Sequence, residues 1–488
     1  MLARPDSGFV NTGNRETKGV ESAMITPTVH RTGMSTTRKS VRRGLVGLTA
    51  VALAFTLAAC SSSGKSGASA STTAEPTITV WNDALASGSC GVPPAQSFLT
   101  KGVNMFEATN PGFKVKIIQV ACDGSDAFST LLKTSEVAGN TPDVGQLYVG
   151  GQVIQNGKYL VPLNNVFSQD YIKSLTGWTY VTDGYGTKAN GSIYAVPFGA
   201  GYWYSVYYNK AMMAKAGITN PQPATWADLI NLGKKLKAKG ITPLEIGEKE
   251  GYMGAWTQDA LISGLVGDKG VLAMYNGTQS LNSPALIQPY TAWHQLYSAG
   301  ITNSDAPSLS YATAIADFSA GKGAMTITGG FFNSSFQKGL GKNVGLFPVP
   351  VLPGGVNMKS LSGGPNNSYV IFKNSTHVKE AAKLIEYLTS LDVQKLSVDE
   401  LGQLPNNVSF TPDAAFTASQ PLLKSIYDYI NVQHYTLGEA FDNIMPGTVM
   451  NYWYHTNSAV FGGTQSPTSA ASSMQQQMQS YLATASTG

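Results

Sequence analysis

The sequence predicts an α/β protein built as two lobes, and three observations carry that prediction. From residue 77 onward, short β-branched or aromatic runs alternate with stretches of helical period, the pattern of parallel βαβ units. About 410 residues follow a Ser/Gly-rich segment ending at Pro76, and a single hydrophobic core seldom serves more than roughly 250–300 residues. There is no internal repeat and no sustained heptad pattern, which removes solenoids and coiled coils.

Residues 1–33 are polar and contain no apolar run. An export signal begins only after them, so Met34 is the expected start (Met24 is the weaker alternative) and 1–33 the expected misassigned extension. Arg38, Lys39, Arg42 and Arg43 form a basic patch, and an uncharged apolar run extends from Gly44 to Leu57. That run is too short for a permanent span, which needs about 20 apolar residues. Basic patch, short apolar run and small-residue exit together describe a secretory signal. The exit, Leu57-Ala58-Ala59-Cys60, resembles the bacterial lipobox, in which the cysteine thiol is acylated and becomes the mature N-terminus. Residues 34–60 are therefore expected to be a lipoprotein signal, with Cys60 lipidated and holding the chain on the outer face of the cytoplasmic membrane. An ordinary signal peptide with a chance cysteine is the plainer alternative. Residues 61–76, mostly Ser, Gly, Ala and Thr, cannot bury a core and read as a tether.

The body then unfolds in order. Thr77 to Trp81 reads as a first strand, Gln96 to Ala108 as a helix with Phe98, Val103 and Phe106 inward, and Pro111-Gly112 as its break. Lys114 to Val120 alternates as a second strand, Asp126 to Ala138 reads as a helix, and Asp143 to Leu147 opens a third strand. Thr225-Trp226-Ala227-Asp228 has the capping-box form, with Trp226, Leu229, Ile230, Gly233 and Leu236 on one face and Gly240 as terminator. Trp226 is read as structural. A second helix of this kind starts near Thr376, with Val378, Ala381, Ala382, Ile385 and Leu388 inward. The polar tail from Ser466 to Gly488 allows a weak closing helix through Met474, Met478 and Leu482.

Charge narrows the ligand. Residues 61–488 contain 25 Lys, no Arg and 26 Asp plus Glu, a formal charge of −1. Arginine is the usual residue for bidentate recognition of carboxylate and phosphate, and nucleic-acid binding needs a basic face. A neutral ligand fits better, and no nucleic-acid partner is expected. Cys90 and Cys122 form an even pair in an oxidising compartment, which reads first as a disulfide. A thiol metal site would want more ligands nearby, so no metal is expected.

Asn82 and Asp83 end the first strand, where ligands bind in open α/β sheets; a turn is the equal alternative. Tyr202-Trp203-Tyr204 are three consecutive aromatics, which cannot all point into one core face.

Taken in order, several segments resemble the family 1 extracellular solute-binding proteins of bacterial ABC importers, the maltose-binding-protein-like group. They are 106–115 (FEATNPGFKV), Thr141-Pro142-Asp143-Val144, Tyr194-Ala195-Val196-Pro197-Phe198 with Val206-Tyr207-Tyr208-Asn209-Lys210, Thr225 to Leu229, Phe318 to Met325, and Gly402-Gln403-Leu404-Pro405. The resemblance covers essentially 77–488. It implies a two-lobed periplasmic-binding-protein-like fold with a hinge and a ligand cleft between the lobes. The expected division is 77–200 plus 364–402 for lobe 1 and 201–363 plus 403–488 for lobe 2. Crossings fall near Phe198 to Ser205, Leu361 to Asn367 and Gly402 to Asn407. A neutral sugar or oligosaccharide is the implied ligand, and a membrane permease with a cytoplasmic ATPase the implied partner. By motif match, Tyr202 and Trp203 face the cleft, joined by Tyr148, Trp256, Asp259, Phe331, Phe332, Asn366, Asn367 and Asp442.

A secreted carbohydrate-active hydrolase is the alternative, since aromatics and carboxylates line such clefts too. It would need two carboxyl groups placed across a glycosidic bond, and no acid here has catalytic context. G-x-S-x-G, H-E-x-x-H and P-loop motifs are absent, and no cofactor is implied. A sensor or adhesin would share the anchor without needing the hinge.

Overall fold

The computed structural model describes residues 76–83, 92–120, 125–182, 191–201, 203–365, 367–438 and 440–485, without the side chains of Asp83, 125–129, Tyr180 and Ala485. The expected signal, Cys60, Cys90, Cys122, Tyr202 and Asn366 lie outside the described residues.

Ten strands run through the described chain: β1 (Thr77–Asp83), β2 (Lys114–Val120), β3 (Val144–Tyr148), β4 (Val196–Phe198), β5 (Ser205–Asn209), β6 (Met325–Thr328), β7 (Val344–Pro348), β8 (Ser360–Ser362), β9 (Asn367–Ile371) and β10 (Thr436–Gly438). Five of them form a sheet in the order β2-β1-β3-β9-β4. β1 runs parallel to β2 and β3, while β9 is antiparallel to both β3 and β4. The parallel units expected from the alternation of strands and helices are present, and the late strand β9 returns from more than 200 residues away to complete a mixed sheet. Alternate residues of its strands face opposite sides. Ile78, Val80, Val144, Tyr369 and Ile371 enter one core cluster, and Trp81, Leu147, Val370 and Phe372 enter another on the other face.

The second lobe is organised differently. β5 lies between β6 and β7, antiparallel to both, and β8 pairs with β10 in a small parallel ribbon. Around the sheet, one core cluster gathers Val206, Tyr207, Ile327 and Phe347 with the Trp226–Ala238 helix. That helix starts on a complete capping box: Thr225 Oγ1 accepts the Asp228 N–H at 3.1 Å, and the Asp228 carboxylate accepts the Thr225 N–H at 3.1 Å. Such a cap is worth about 1 kcal/mol. Trp226, Leu229, Ile230, Gly233 and Leu236 are buried, and Gly240, at φ +71°, follows the helix end. A further cluster packs the helices Tyr252–Tyr275, Pro284–Ser298, Gly447–Phe461 and Pro467–Ala485 together. The last of these is a full 19-residue helix with Met474 and Met478 buried, longer and better packed than the weak closing helix its polar composition suggests.

Between the five-stranded sheet and the rest, three segments run side by side. Ala200 and Leu404 exchange backbone hydrogen bonds at 2.6 and 2.8 Å, Gly201 and Gly364 do so at 2.7 and 3.1 Å, and the Tyr204 N–H reaches the Ser362 carbonyl at 3.2 Å. Glycine is required here. A Cβ at Gly199 (φ +65°) would lie 2.5 Å from Gln403 Oε1, and one at Gly201 would lie 2.7 Å from Gln403 Cγ.

Candidate functional site

The site is built on the Tyr252–Tyr275 helix. From Thr257 to Leu265 every residue is buried, so this central stretch has no solvent face. Its start is fixed by Glu248, which is itself fully buried. Glu248 Oε2 accepts the Gly254 N–H at 2.9 Å and Oε1 accepts the Trp293 indole N–H at 3.2 Å. Burial pushes the Glu248 carboxyl well above its ordinary range, and these two donors oppose that push only in part.

One turn apart on that helix, Tyr252 and Trp256 stack with ring centroids 6.3 Å apart. Other segments bring further rings to them. Tyr311, the first residue of the Tyr311–Ser319 helix, has its N–H held by Glu250 Oε2 at 3.0 Å and stands edge-on to Trp256 at 5.8 Å. Phe331 and Phe332, in the turn after β6, lie 5.1 and 6.1 Å from Trp256. Tyr454, from the Gly447–Phe461 helix, meets Tyr252 edge-on at 4.9 Å. All six rings are partly exposed. Edge-to-face packing at these distances stabilises such a cluster while leaving ring faces for a ligand.

Behind the rings sits an acidic pair. Asp259 is fully buried, and its Oδ1 accepts the Asp442 N–H at 3.2 Å. Asp442 is partly exposed as a residue, yet its Oδ1 is out of contact with water. Burial raises both carboxyls. Asp442 is pushed up to about 6 despite a hydrogen bond from the Tyr204 hydroxyl, and Asp259 is raised further by the charge of Asp442. Tyr454 is raised first by burial, then by Asp442, Asp259, Tyr252 and Tyr148. That field ties the aromatic cluster to Tyr148 at the end of β3. The turn carrying Asp442 also touches the segment after β3: a Cβ on Gly150 would lie 2.8 Å from the Asn443 carbonyl oxygen.

The structure thus brings Tyr148, Trp256, Asp259, Phe331, Phe332 and Asp442 into one neighbourhood. Others are placed elsewhere. Trp203, expected to face the cleft, is 1 % exposed; its indole N–H donates to the Ala200 carbonyl at 3.2 Å and its ring lies against Gly330, directly behind the phenylalanine turn. It packs the crossing together with Tyr204, which is equally buried in the same core cluster. Asn82 is buried with its amide donating to Gln119 Oε1 at 2.8 Å, the residue opposite it on β2. The backbone of Asp83 closes β1. Asn367 pairs in register with both Tyr148 and Phe198 and is 1 % exposed, with neither side-chain amide atom hydrogen-bonded. Sequence reasoning missed Tyr252, Tyr311, Tyr454 and Glu248. Only Tyr252 carried a signal, its spacing of four from Trp256.

Among the described residues, no helix is long and apolar enough to cross a membrane. Two α/β lobes, laced by three crossing segments and sharing an aromatic and acidic site beside them, define a two-lobed binding protein. The chain belongs to the bacterial extracellular solute-binding protein family, whose sequence profile matches residues 92–395. It is 27% identical over 388 residues to the multiple sugar-binding protein of Streptococcus mutans, covering 78% of this chain and 85% of that one. It is 26% identical over 342 residues to the maltooligosaccharide ABC transporter solute-binding lipoprotein of Streptococcus pneumoniae, covering 66% and 74%. Among solved structures, a chitin oligosaccharide binding protein matches with a TM-score of 0.70 at 23% identity, over 84% of this chain and 99% of that one. The maltose-bound MalE3 protein of T. maritima matches with a TM-score of 0.63 at 23% identity, over 83% and 99%. At such identity the structural likeness speaks for the fold.

Proposed function

We propose that this chain captures a neutral carbohydrate between its lobes and delivers it to a membrane permease driven by a cytoplasmic ATPase. The observation that carries the reading is the convergence of six partly exposed aromatic rings, from four separate segments, on one neighbourhood beside the crossings. Sugars offer ring faces of C–H groups that stack on aromatic rings and rims of hydroxyls that pair with polar groups. The names of the relatives point the same way: one is a multiple sugar-binding protein and another a maltooligosaccharide-binding lipoprotein of an ABC transporter.

The lobes are taken as 77–200 plus 364–402 and 201–363 plus 403–488, a division consistent with the membership of the two main sheets. Closure is a hinge motion at the crossings. Trp256, Phe331, Phe332 and Tyr148 contact the ligand, with Tyr202, Asn366 and Asn367 contributing from the crossings. Asn82 and Asp83 border the cleft from the end of β1, with the Asn82 amide already engaged by Gln119. Lipid on Cys60 holds the protein at the outer face of the cytoplasmic membrane, and Cys90–Cys122 is a disulfide.

A thermal-shift screen of the full chain tests this, with maltotriose, chitobiose, xylobiose and raffinose set against amino acids and dipeptides. The expected result is a raised melting temperature with at least one saccharide, and a smaller radius of gyration by small-angle scattering when it is bound. Shifts with peptides alone would overturn the carbohydrate reading. Release of shorter sugars from an oligosaccharide would overturn the assignment as a pure binder.

A further inference from the structure

Asp259 and Asp442 come from distant parts of the chain, the centre of a buried helix and a one-turn helix at Phe441–Ile444. Their side chains lie within hydrogen-bonding reach of each other. Asp259 Oδ1 is engaged by the Asp442 N–H, and the Tyr204 hydroxyl serves the Asp442 carboxylate. One oxygen on each, Asp259 Oδ2 and Asp442 Oδ1, is buried with no protein donor. Two ionised carboxylates cannot share such a space without strong repulsion and desolvation. A single proton held between the two carboxyls relieves that repulsion and leaves one negative charge.

We propose that Asp259 and Asp442 hold one proton between them at neutral pH, and that this shared proton fastens the Phe441–Ile444 turn to the helix that carries Tyr252 and Trp256. The two acids are positioning residues. The turn they hold is the one that meets Gly150 and Gly151 after β3, so the bond sets where the second lobe touches the first. The titratable groups that meet the pair are Tyr204 from the crossing, which hydrogen-bonds Asp442, and Tyr454 from the Gly447–Phe461 helix, which feels the charge of both acids. Both are phenols, which stay neutral through the physiological range. The pair is therefore the group that changes charge here. Losing the proton at alkaline pH leaves two buried like charges and drives the turn away from the helix.

Infrared difference spectroscopy on the full chain at pH 8 tests this independently of any sugar. Variant-minus-wild-type spectra are expected to show the loss of one protonated-carboxyl C=O stretch in Asp259→Asn and in Asp442→Asn, the stretch of the buried Glu248 being common to all three proteins and cancelling. In either variant an amide N–H takes the place of the shared proton. Melting of the same proteins from pH 5 to pH 10 gives a second reading. Each variant is expected to melt about 2–4 °C above wild type at pH 8, with the gap closing toward pH 5, where both acids are protonated. If one variant fails to fold, the other serves. Retention of the band in both variants, or parallel melting curves across the whole pH range, overturns the proposal. A carbohydrate screen that fails leaves both readouts unaffected.

Discussion

Trp256 touches four other aromatic rings yet remains partly exposed, so its truncation should separate binding from folding. Trp256→Ala is expected to weaken affinity for whichever saccharide raises the melting temperature by at least about tenfold, the scale of a hot-spot aromatic. Titration calorimetry on the variant checks this, and unchanged affinity would remove Trp256 from the ligand contacts. Asp259, Asp442, Trp203 and Asn367 show where sequence reading at the residue scale stops. Each was selected as a ligand contact by its place in a motif, and each turns out to be wholly or partly withdrawn from water. A motif fixes which residue stands beside which in the chain. Which way a side chain leaves the backbone depends on partners such as Gly330 or Gln119 that come from other segments.

Among the elements, the capped Trp226–Ala238 helix was legible to the residue at its start, because caps and amphipathic spacing are local signals. Thr225→Ala is expected to cost about 1 kcal/mol, read as a lower urea midpoint with an unchanged m-value. An unchanged midpoint would mean the cap bond contributes nothing to global stability. The Tyr252–Tyr275 helix, on which the site stands, was not legible. Its stretch from Thr257 to Leu265 is buried on all sides and so shows no apolar stripe, and its glycines, including Gly267 at φ +63°, make the segment read as loop. The first three strands were legible from β-branched alternation. β9 was not, since its partners β3 and β4 are distant in sequence and pairing register is invisible in one strand alone. The crossings are sterically tight, so Gly201→Ala is expected to disturb their alignment. The check is ligand affinity, which should fall further than the melting temperature alone would account for.

The whole molecule carries several carboxyls held out of water. Burial raises Glu136 and Glu245 from the ordinary 4.5 to about 7. An acid with a raised folded pKa binds its proton more tightly when folded than when unfolded. The stability these two groups contribute therefore falls as pH rises from about 4.5 to about 7, and their effect levels off above. Melting temperatures across pH 4.5 to 8 should show that decline, and Glu136→Gln should flatten part of it; a flat wild-type profile would mean these groups ionise freely. The two-lobed plan itself was legible from length and the alternation of elements. The contrast between a mixed five-stranded sheet and an antiparallel three-stranded one was not, because it depends on which strands meet after long excursions.

The Pro467–Ala485 helix has a consequence for the order in which the molecule is completed. Met474 and Met478 fill a core whose other walls include Ala255 and Leu281, and Gln475 Oε1 accepts the Leu281 N–H at 2.6 Å across 194 residues. A chain emerging from its N-terminus therefore carries an unsealed apolar surface in the second lobe until residues 467–485 have arrived. During that interval the lobe is a client for chaperones or an open target for proteases. A chain stopped after residue 466 should remain in that state, digested by a nonspecific protease at concentrations the full chain survives.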